Sequence, residues 1–309
     1  MAQPFIKWVG GKTQLLGEIR KRLPEDLGTT RTRYVEPFVG GGAVLYSILE
    51  SHPGIEAHAN DMNKELINAY ATVRDEPDEL IGNLASLAQA YLPLDQPART
   101  ELYLRWRERL NELIAQHAND AIADPATRVY GADSVEQASL FIAILKTCFN
   151  GLCRYNLKGF FNAHHGRYKA PGICDENRIR GCSQALANTV LHIGGYNETA
   201  RLIDDRTFVY ADPPYREIPG KPSFKAYQKS GFNDANQEEL ANFLKEAVQK
   251  GARILMSNSD PRNGDPDDSF FDDLYSWAKV ERVLARRSIN RNGDGRGAIT
   301  EILVSFPET

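Results

Sequence analysis

Residues 34–42 read YVEPFVGGG, a short apolar stretch that runs into three consecutive glycines. We predict a strand over 34–38, a turn at the glycines and a helix over 43–50. A second strand is predicted at 55–59, ending at Asn60 and Asp61. Because a strand, a helix and another strand in this order form a parallel crossover unit, the stretch predicts an α/β fold.

The rest of the chain extends this pattern in one part and interrupts it in another. Strands are predicted at 206–210 and 252–257, a helix at 237–250, and an antiparallel pair at 280–289 and 298–306 around the turn RNGDG at 291–295. Between residue 64 and about residue 187 helical patterns dominate, at 64–73, 77–90, 100–116 and 135–147. We therefore predict a catalytic domain of residues 1–63 and 188–309 and an inserted, mainly helical domain of residues 64–187. Segment 94–133 contains turn signals and is interpreted as an elaboration of the insertion.

Composition is ordinary for a globular protein, with 42% hydrophobic and 25% charged residues among 309. No apolar stretch reaches the roughly 18 residues needed to cross a bilayer, and residues 1–8 lack the apolar region of a signal peptide. The four cysteines, Cys148, Cys153, Cys174 and Cys182, lack the paired CxxC spacing of a zinc site. We therefore expect a cytoplasmic protein with reduced thiols and no metal.

Charge is distributed unevenly, although the formal net charge is only -4. Basic residues concentrate at 7–33, 146–180 and 282–296, whereas acidic residues concentrate at 260–273. A basic face on an acidic body suits a phosphate backbone. Solvated faces that never meet in space explain the pattern equally well, so charge alone does not decide between the two.

A four-residue motif, DPPY at 212–215, directly follows the predicted strand 206–210. The amino group of adenine is a poor nucleophile because its lone pair is delocalised into the ring. The Asp212 carboxylate and the Pro213 carbonyl can accept hydrogen bonds from its two N–H groups and stabilise the charge that develops on nitrogen. Tyr215 offers a ring on which an extruded base can stack. A proline-rich turn after a strand is the alternative, and the position of the motif disfavours it.

The glycines at 40–42 let a ligand approach the backbone closely. Asp61 follows about 20 residues later, where a carboxylate can hold ribose hydroxyls. A dinucleotide fingerprint would need a third glycine where Leu45 stands. The pattern therefore favours an adenosine-bearing cofactor other than NAD or FAD, although glycine turns are common in α/β folds.

Residues 5–13 read FIKWVGGKT and contain the Gly-Lys-Thr of a phosphate-binding loop. The full pattern needs a glycine where Ile6 stands, and a strand before it, which is not predicted. An ATPase is therefore disfavoured.

Aromatic, amide and arginine side chains interleave around glycines in residues 149–168, FNGLCRYNLKGFFNAHHGRY. Such side chains can stack on bases, read base edges and hold phosphates. On composition alone, a polar hairpin with core aromatics is slightly favoured over a nucleic-acid surface. His164 and His165 lack a further ligand at a matching spacing and are interpreted as surface residues.

Four motifs occur in order: KWVGGK at 7–12, EPFVGGG at 36–42, NGLCRYN at 150–156 and DPPY at 212–215. This arrangement resembles the Dam-type adenine-N6 DNA methyltransferases, which include modification methylases of restriction systems. The resemblance extends from Phe5 to Phe306 and includes residues 257–258 and 287–289. It implies a Rossmann-like methyltransferase core with an inserted helical target-recognition domain, and S-adenosyl-L-methionine (AdoMet) as methyl donor.

The resemblance also implies roles for the residues that match each motif. Asp212, Pro213 and Tyr215 are expected to hold the flipped adenine. Phe149 and Asn150 are expected to form a hairpin tip that enters the double helix beside it. The expected AdoMet-site residues are Trp8, Lys12, Phe38, Gly40, Gly42, Asp61, Tyr196 and Asp212. The expected DNA contacts are Lys7, Phe149, Asn150, Leu152, Arg154, Asn156, Asn162, Arg167 and Tyr168.

The recognition segment implies a target in double-stranded DNA. Leu152 and Arg154 match residues that read bases, in family members that generally modify GATC. His164 stands where the family pattern usually has a proline that contacts one base. The insertion 94–133 is longer than in similar family members. The resemblance is compatible with a monomer or weak dimer, and with a cognate restriction endonuclease acting on the same site.

The implied reaction is direct, in-line methyl transfer to N6, catalysed mainly by orientation and by hydrogen-bond acceptance at Asp212. It requires no covalent intermediate, no nucleophilic cysteine and no metal. Three alternatives are disfavoured. A cytosine-N4 methyltransferase often has serine in place of Asp212, an RNA methyltransferase does not explain the long recognition insertion, and an inactive DNA-binding regulator should lose an element such as Asp212 or Gly40.

Overall fold

Seven strands form the central sheet of the computed structural model, which describes residues 2–118, 130–216, 232–286 and 298–306. In chain order they are β1 (Arg33–Glu36), β2 (Glu56–Asp61), β3 (Thr189–Ile193), β4 (Thr207–Ala211), β5 (Arg253–Ser259), β6 (Lys279–Arg286) and β7 (Ala298–Phe306). Their order across the sheet is β3-β2-β1-β4-β5-β7-β6. The first five are parallel, and β7 lies antiparallel between β5 and β6. The predicted Rossmann-like α/β class is therefore confirmed.

Capping side chains fix the starts of several helices. Asn63 accepts a hydrogen bond from the Leu66 amide, and Asp95 accepts one from the Ala98 amide, so free N–H groups of the first turn are satisfied. The helices that follow these caps are α3 and α5 in the series α1 (Leu16–Arg20), α2 (Ala43–Ser51), α3 (Lys64–Asp75), α4 (Pro77–Tyr91), α5 (Gln96–Gln116), α6 (Ser134–Thr147), α7 (Glu176–Leu186), α8 (Asp234–Gln249) and α9 (Phe270–Leu274).

The four helices predicted within residues 64–147 are confirmed as α3 to α6, with ends that differ by a few residues. Since α5 begins at Gln96, most of the described part of segment 94–133 is one long helix rather than a series of turns. The part at 119–129 lies outside the described residues.

Alternating side chains direct the two faces of the sheet into two apolar cores. Tyr34 and Val35 are neighbours on β1 but belong to different cores. The core of Tyr34 also contains buried side chains of α2 to α7, and that of Val35 contains those of α8 and α9. Because α3 to α6 share one core with the sheet, the division into residues 1–63 with 188–309 and residues 64–187 stays a prediction.

The predicted final antiparallel pair is confirmed, with Arg286 opposite Ala298 in the β6–β7 ladder. The predicted turn 291–295 and residues 287–289 lie outside the described residues. In the described part of the chain no helix is long and apolar enough to cross a membrane. All four cysteines are free thiols.

Candidate active site and nucleic-acid interface

The predicted chemical motifs meet at one edge of the sheet. The parallel strands β1, β2, β4 and β5 end there and bring Phe38, Asp61, Asp212 and Ser257 to that edge. In open α/β sheets the crevice outside the carboxyl ends of the strands is where ligands bind. Motifs that are far apart in the sequence therefore share one site.

Asp212 follows β4, and both of its carboxylate oxygens accept hydrogen bonds. Lys12 Nζ donates to Oδ2 at 2.8 Å, and Ser257 Oγ donates to Oδ1 at 3.0 Å. Ser257 Oγ also lies 2.8 Å from the hydroxyl of buried Tyr210. These two hydrogen bonds hold Asp212 in place. Because each carboxylate oxygen has two lone pairs, Asp212 still has acceptor positions for a ligand.

Lys12 supplies a buried positive charge to this site. Its side chain is 4% exposed, and its ammonium group pairs with Asp212. The same group donates to the Gly10 carbonyl at 2.9 Å and lies 4.6 Å from the centre of the Tyr215 ring. A buried ammonium group must be paired with a negative charge. The ion pair with Asp212 meets this need and connects two motifs separated by 200 residues.

Tyr215 is anchored at its other end by a residue that the sequence did not single out. Its hydroxyl donates to Glu301 Oε2 on β7 at 2.5 Å. Burial raises the pKa of Glu301, whereas Lys12 and the Tyr215 hydrogen bond act against that rise. Burial also raises the pKa of Tyr215 well above its ordinary value, so the hydroxyl stays protonated and donates.

A second buried carboxyl, Glu36, lies at the end of β1 and is 2% exposed. It accepts a hydrogen bond from the Tyr34 hydroxyl at 2.6 Å. Burial raises the pKa of Glu36 well above its ordinary value, the Tyr34 hydrogen bond opposes this, and the charge of Asp212 adds to it. Glu36 therefore favours its protonated form more strongly than an exposed glutamate does.

The two proline carbonyls of the 212–215 motif have different surroundings. Gln237 Nε2 on α8 donates to the Pro214 carbonyl at 3.1 Å, and Asn258 Nδ2 donates to Gln237 Oε1 at 3.3 Å. None of the described residues donates a hydrogen bond to the Pro213 carbonyl. The turn is thus fixed through Pro214, while the Pro213 carbonyl keeps its acceptor positions as far as the described residues are concerned.

The glycine turn after β1 packs tightly against Trp8. Gly40 and Gly42 have φ values of 47° and 72°, in the left-handed region that favours glycine. A Cβ on Gly40 would lie 2.9 Å from Trp8 Nε1, and one on Gly41 would lie 2.9 Å from Trp8 Cβ. Glycine is needed here for both the backbone conformation and the approach of the indole ring.

Asp61 ends β2 beside this turn. Its Oδ2 accepts a hydrogen bond from the Gly40 amide at 3.1 Å, and its Oδ1 accepts one from the Asn63 amide at 3.0 Å. Burial raises the pKa of Asp61, and the amide hydrogen bonds partly offset that rise. The carboxylate orients the glycine turn and retains lone pairs that can accept from hydroxyl groups.

Four aromatic rings gather near the end of β1. Phe38 and Tyr196 have ring centres 5.4 Å apart, Phe232 lies edge-on 6.2 Å from Phe38, and Phe243 lies 5.3 Å from Tyr196. Such faces suit a flat purine ring. The structure therefore brings together Phe38 and Tyr196, which the sequence placed in different segments. Neither Phe232 nor Phe243 was predicted. Phe243 lies in the helical pattern of α8, where a single aromatic is typical of a core position, and Phe232 lies just before that helix.

The hairpin of residues 148–165 has its tip at a different place from the one expected. Its two arms pair at Cys148 with His165 and at Tyr155 with Phe161, so the turn falls at 157–159. The expectation that Phe149 and Asn150 form the tip is wrong. They form a single 3-10 turn at the foot of the hairpin, where the Phe149 amide donates to the His164 carbonyl at 2.8 Å. Phe149 is nevertheless 51% exposed and presents its ring to solvent.

Arg154 is held across this hairpin by Asn162. Its Nε donates to Asn162 Oδ1 at 2.7 Å, and its Nη2 donates to the Asn162 carbonyl at 2.9 Å. Asn156 uses its side-chain oxygen in the turn, accepting from the Lys158 and Phe160 amides at 2.9 and 3.1 Å. Asn156 and Asn162 therefore shape the hairpin, and their expected contacts with DNA stay predictions.

Lys7 joins the N-terminal segment to the foot of the hairpin. A Cβ on Gly151 would lie 2.9 Å from Lys7 Cγ, and Lys7 Nζ lies 5.7 Å from the centre of the Tyr168 ring. The Tyr168 hydroxyl accepts a hydrogen bond from the Asn150 amide at 2.9 Å. Three of the expected DNA contacts thus form one group. Among the others, Arg167 is exposed and Leu152 is partly buried.

The two adjacent histidines have different environments. His164 is exposed, as predicted. His165 is only partly exposed, and its ring is held in place: Nε2 lies 2.5 Å from the Tyr91 hydroxyl and Nδ1 lies 2.9 Å from Thr100 Oγ1. Burial lowers the pKa of His165, which favours a neutral ring that links the hairpin to α4 and α5. No group of three or more His, Cys, Asp or Glu side chains in the described ranges could hold a metal ion.

Three arginines of the N-terminal basic cluster form ion pairs with acidic side chains. Arg31 and Arg33 lie at the amino end of β1, opposite the site, and pair with Asp26 at 3.1 Å and Asp204 at 2.9 Å respectively. Arg22 pairs with Glu281 at 3.0 Å. For these three arginines the structure favours separate faces over a single basic face, which charge alone had left undecided. Of the third cluster, Arg287, Arg291 and Arg296 lie outside the described residues.

Known proteins match this chain along almost its whole length. Residues 8–289 match the family model described as D12 class N6 adenine-specific DNA methyltransferase. The type II methyltransferase M.MjaIII of Methanocaldococcus jannaschii is 38% identical over 304 residues, which cover 98% of each chain. The type II methyltransferase M1.LlaDCHI of Lactococcus lactis subsp. cremoris is 32% identical over 305 residues, 98% of this chain and 95% of the other. The DNA adenine methylase of Escherichia coli K12 is 30% identical over 302 residues, 98% of this chain and 94% of the other.

Proposed function

Because the chain belongs to the D12 class of N6 adenine-specific DNA methyltransferases, we propose that it uses AdoMet to methylate an adenine extruded from GATC in double-stranded DNA. Membership of the family carries the enzyme class, the DNA substrate and the adenine target. The cofactor, the extrusion of the base, the four-base target and the roles of single residues are the proposed part. They depend above all on Asp212, whose carboxylate is held by Lys12 and Ser257 beside the Pro213 carbonyl.

The residues at the sheet edge fit AdoMet. The turn at Gly40 has no room for a Cβ, which would stand 2.9 Å from Trp8 Nε1, so the Trp8 ring lies against the backbone at the proposed cofactor site. Asp61 can accept hydrogen bonds from ribose hydroxyls, and the Phe38 and Tyr196 rings can enclose the adenine of the cofactor. When bound, AdoMet supplies an electrophilic methyl group on a sulfonium.

Asp212 and Pro213 can then activate the target nitrogen. The carboxylate of Asp212 and the carbonyl of Pro213 accept the two N6–H groups, draw the nitrogen toward tetrahedral geometry and stabilise the positive charge that develops on it. Lys12 and Ser257 fix Asp212 before the substrate arrives, so little reorganisation is needed during the reaction. The N6 proton becomes acidic only after attack on the methyl group, and no dedicated general base is assigned.

Tyr215 provides the stacking surface for the extruded adenine. Its ring is held by the Lys12 ammonium at 4.6 Å from its centre and by the Glu301 carboxylate at its hydroxyl. A ring fixed at two points can receive a flat base at a low entropic cost. The exposed Phe149 is the proposed residue that fills the gap the base leaves in the duplex.

The target sequence is proposed to be read from the hairpin foot and arm. Leu152 and Arg154 are the proposed base-reading residues, and Lys7 is a proposed DNA contact beside them. A restriction endonuclease directed at the same site is the proposed protein partner, and a monomer or weak dimer is the proposed state. Sedimentation of the pure protein with and without a GATC duplex tests the last of these.

Modification mapping tests the function as a whole. The chain is expressed in a methylation-free bacterial host, and its DNA is read by single-molecule sequencing. We expect N6-methyladenine in every GATC with the wild-type chain and none with Asp212→Ala, which should still bind S-adenosylhomocysteine and duplex DNA. Methylation of another site would refute the GATC target alone, whereas substantial turnover by Asp212→Ala would remove Asp212 from its proposed role.

A further inference from the structure

Helix α5 carries a row of polar side chains that contact residues 161–169, mostly through their backbone. These residues run back from the hairpin turn and are here called the return segment. Apart from two adjacent residues, successive members of the row are three or four residues apart, so they share one face of the helix. They are Gln96, Arg99, Thr100, Tyr103, Arg107 and Asn111.

Asn111 holds Phe161 as a neighbouring strand would. Its Nδ2 donates to the Phe161 carbonyl at 3.0 Å, and its Oδ1 accepts from the Phe161 amide at 2.7 Å. Both backbone groups of one residue are thereby satisfied by a single side chain. This pair of hydrogen bonds fixes the position of Phe161 along α5.

Further along the return segment, α5 binds at almost every second residue. Ala163 presents its carbonyl to the Tyr103 hydroxyl at 2.8 Å and to Arg107 Nη1 at 3.1 Å. The His165 ring lies 2.9 Å from Thr100 Oγ1. The contacts therefore recur at the spacing of an extended chain laid along a helix.

Arg99 closes the row at the end of the return segment. It is buried, and its Nη1 donates to the Tyr168 and Lys169 carbonyls at 3.2 and 2.9 Å. Its other nitrogens donate to the carbonyls of Tyr91 and Leu92, where α4 ends. The end of α4, α5 and the return segment are thus joined by one guanidinium group.

The fixed backbone leads directly to the residues proposed to meet DNA. Asn162 follows Phe161 and binds the guanidinium of Arg154 with both its side-chain oxygen and its carbonyl. Tyr168, held by Arg99, accepts the Asn150 amide. A shift of the return segment along α5 would therefore displace Arg154 and Asn150.

We propose that the polar face of α5 positions the return segment and so determines how sharply the enzyme discriminates between base pairs. This role depends on the proposed base reading by Arg154. It gives segment 94–133 a function in target recognition without any contact between α5 and DNA. The same hydrogen bonds could serve folding alone, and the experiment below separates the two.

Asn111→Leu and Tyr103→Phe are the test variants. Asn111→Leu keeps the branched shape and the number of heavy atoms but loses both bonds to Phe161, and Tyr103→Phe loses only the hydroxyl bound to Ala163. Glu108→Gln, exposed on the same helix, and Tyr275→Phe, whose buried hydroxyl has no partner among the described residues, are the matched controls. For each, kcat/KM for methylation, duplex Kd and Tm are measured on the site mapped for the wild-type chain and on every single-base-pair change of it.

With Asn111→Leu we expect discrimination at the base pair read by Arg154 to fall about tenfold, with kcat on the mapped site nearly unchanged. Tyr103→Phe should show a smaller fall at the same base pair, and the controls none. Asn111→Leu combined with Arg154→Ala should lose no more discrimination than Arg154→Ala alone. Lower Tm with unchanged discrimination, or an equal loss at all base pairs, would overturn the proposal. A mapped site other than GATC contradicts the proposed target, but the variants and controls can still be compared on that site. If the wild-type chain does not methylate DNA, the ratios of duplex Kd between the site and its single-base-pair changes measure discrimination instead.

Discussion

Replacing Tyr215 by phenylalanine removes one hydroxyl and leaves the ring on which the extruded adenine is proposed to stack. That hydroxyl donates to Glu301 at 2.5 Å in a partly buried position. A hydrogen bond to a charged group contributes about 1.5–3 kcal/mol. If the bond fixes the ring in the transition state, its loss lowers kcat/KM by about 10- to 150-fold.

Glu301→Gln tests the same bond from the other side. Glutamine keeps an acceptor of similar shape but carries no charge. The free-energy contribution of the hydrogen bond therefore falls to that of a neutral pair, and kcat/KM should fall about tenfold. Burial raises the pKa of Glu301, which means that the folded chain disfavours the charged form of this side chain. Removing the charge should therefore not lower the free energy of unfolding. Single-turnover methylation of a duplex with labelled AdoMet isolates the transfer step from product release.

The combined variant decides whether the two residues act together. If Tyr215 and Glu301 act through one hydrogen bond, Tyr215→Phe with Glu301→Gln should be no slower than Tyr215→Phe alone. Tyr275→Phe removes a hydroxyl without a described partner and should leave the rate unchanged. Multiplied losses in the combined variant, or a normal rate for Tyr215→Phe, would refute the reasoning.

Three further changes probe other parts of the site. Gly40→Ala should weaken binding of S-adenosylhomocysteine about tenfold, measured by calorimetry, because φ is 47° and the new Cβ would stand 2.9 Å from Trp8 Nε1. Gly54→Ala is the control, since its new Cβ would have no heavy atom within 4 Å. Equal affinities of the two variants would contradict the tight fit. Arg154→Ala should cost about 1–3 kcal/mol of discrimination at one base pair, measured as ratios of kcat/KM, and an equal loss on all sequences would make Arg154 a phosphate contact. Burial raises the pKa of Glu36, so the folded chain keeps this proton to higher pH than the unfolded chain, and stability is lost as pH rises above the ordinary value of 4.5. Glu36→Gln should therefore gain in Tm relative to wild type between about pH 5 and pH 8, and melting curves that stay parallel across this range would show that Glu36 does not titrate as inferred.

The sequence was sufficient to predict an element or a motif where the signal is carried by residues that are neighbours in the chain. The glycine turn after β1 and the motif after β4 could be recognised because their backbone requirements are carried by neighbouring residues. Helices α3 to α6 were predicted from their apolar period, and their ends differed because caps such as Asp95 lie outside that period. Strand β7 was predicted as one arm of a pair, but its insertion beside β5 has no local signal.

Long-range pairing explains what the sequence could not reveal. Either Gly151 or Gly159 could mark the hairpin turn, and the choice of 157–159 depends on cross-hairpin bonds such as Arg154 to Asn162. Glu301 is a single acidic residue in an apolar strand pattern, and only the sheet order brings it to Tyr215. The sequence could not decide how the N-terminal arginines are used, because partners such as Glu281 of Arg22 and Asp204 of Arg33 lie far away in the chain.

Strand β7 comes after every other described element in the chain, yet it lies between β5 and β6. A ribosome therefore delivers Lys12 first, then Asp212 and Tyr215, and Glu301 only after β6 has been made. Until β7 enters, β6 has no neighbour with which to join the sheet and Tyr215 has no carboxylate at its hydroxyl. Contacts between such distant residues form late in folding. A nascent chain thus cannot complete this site before β7 has been made, and the proposed methylation has to wait for that strand.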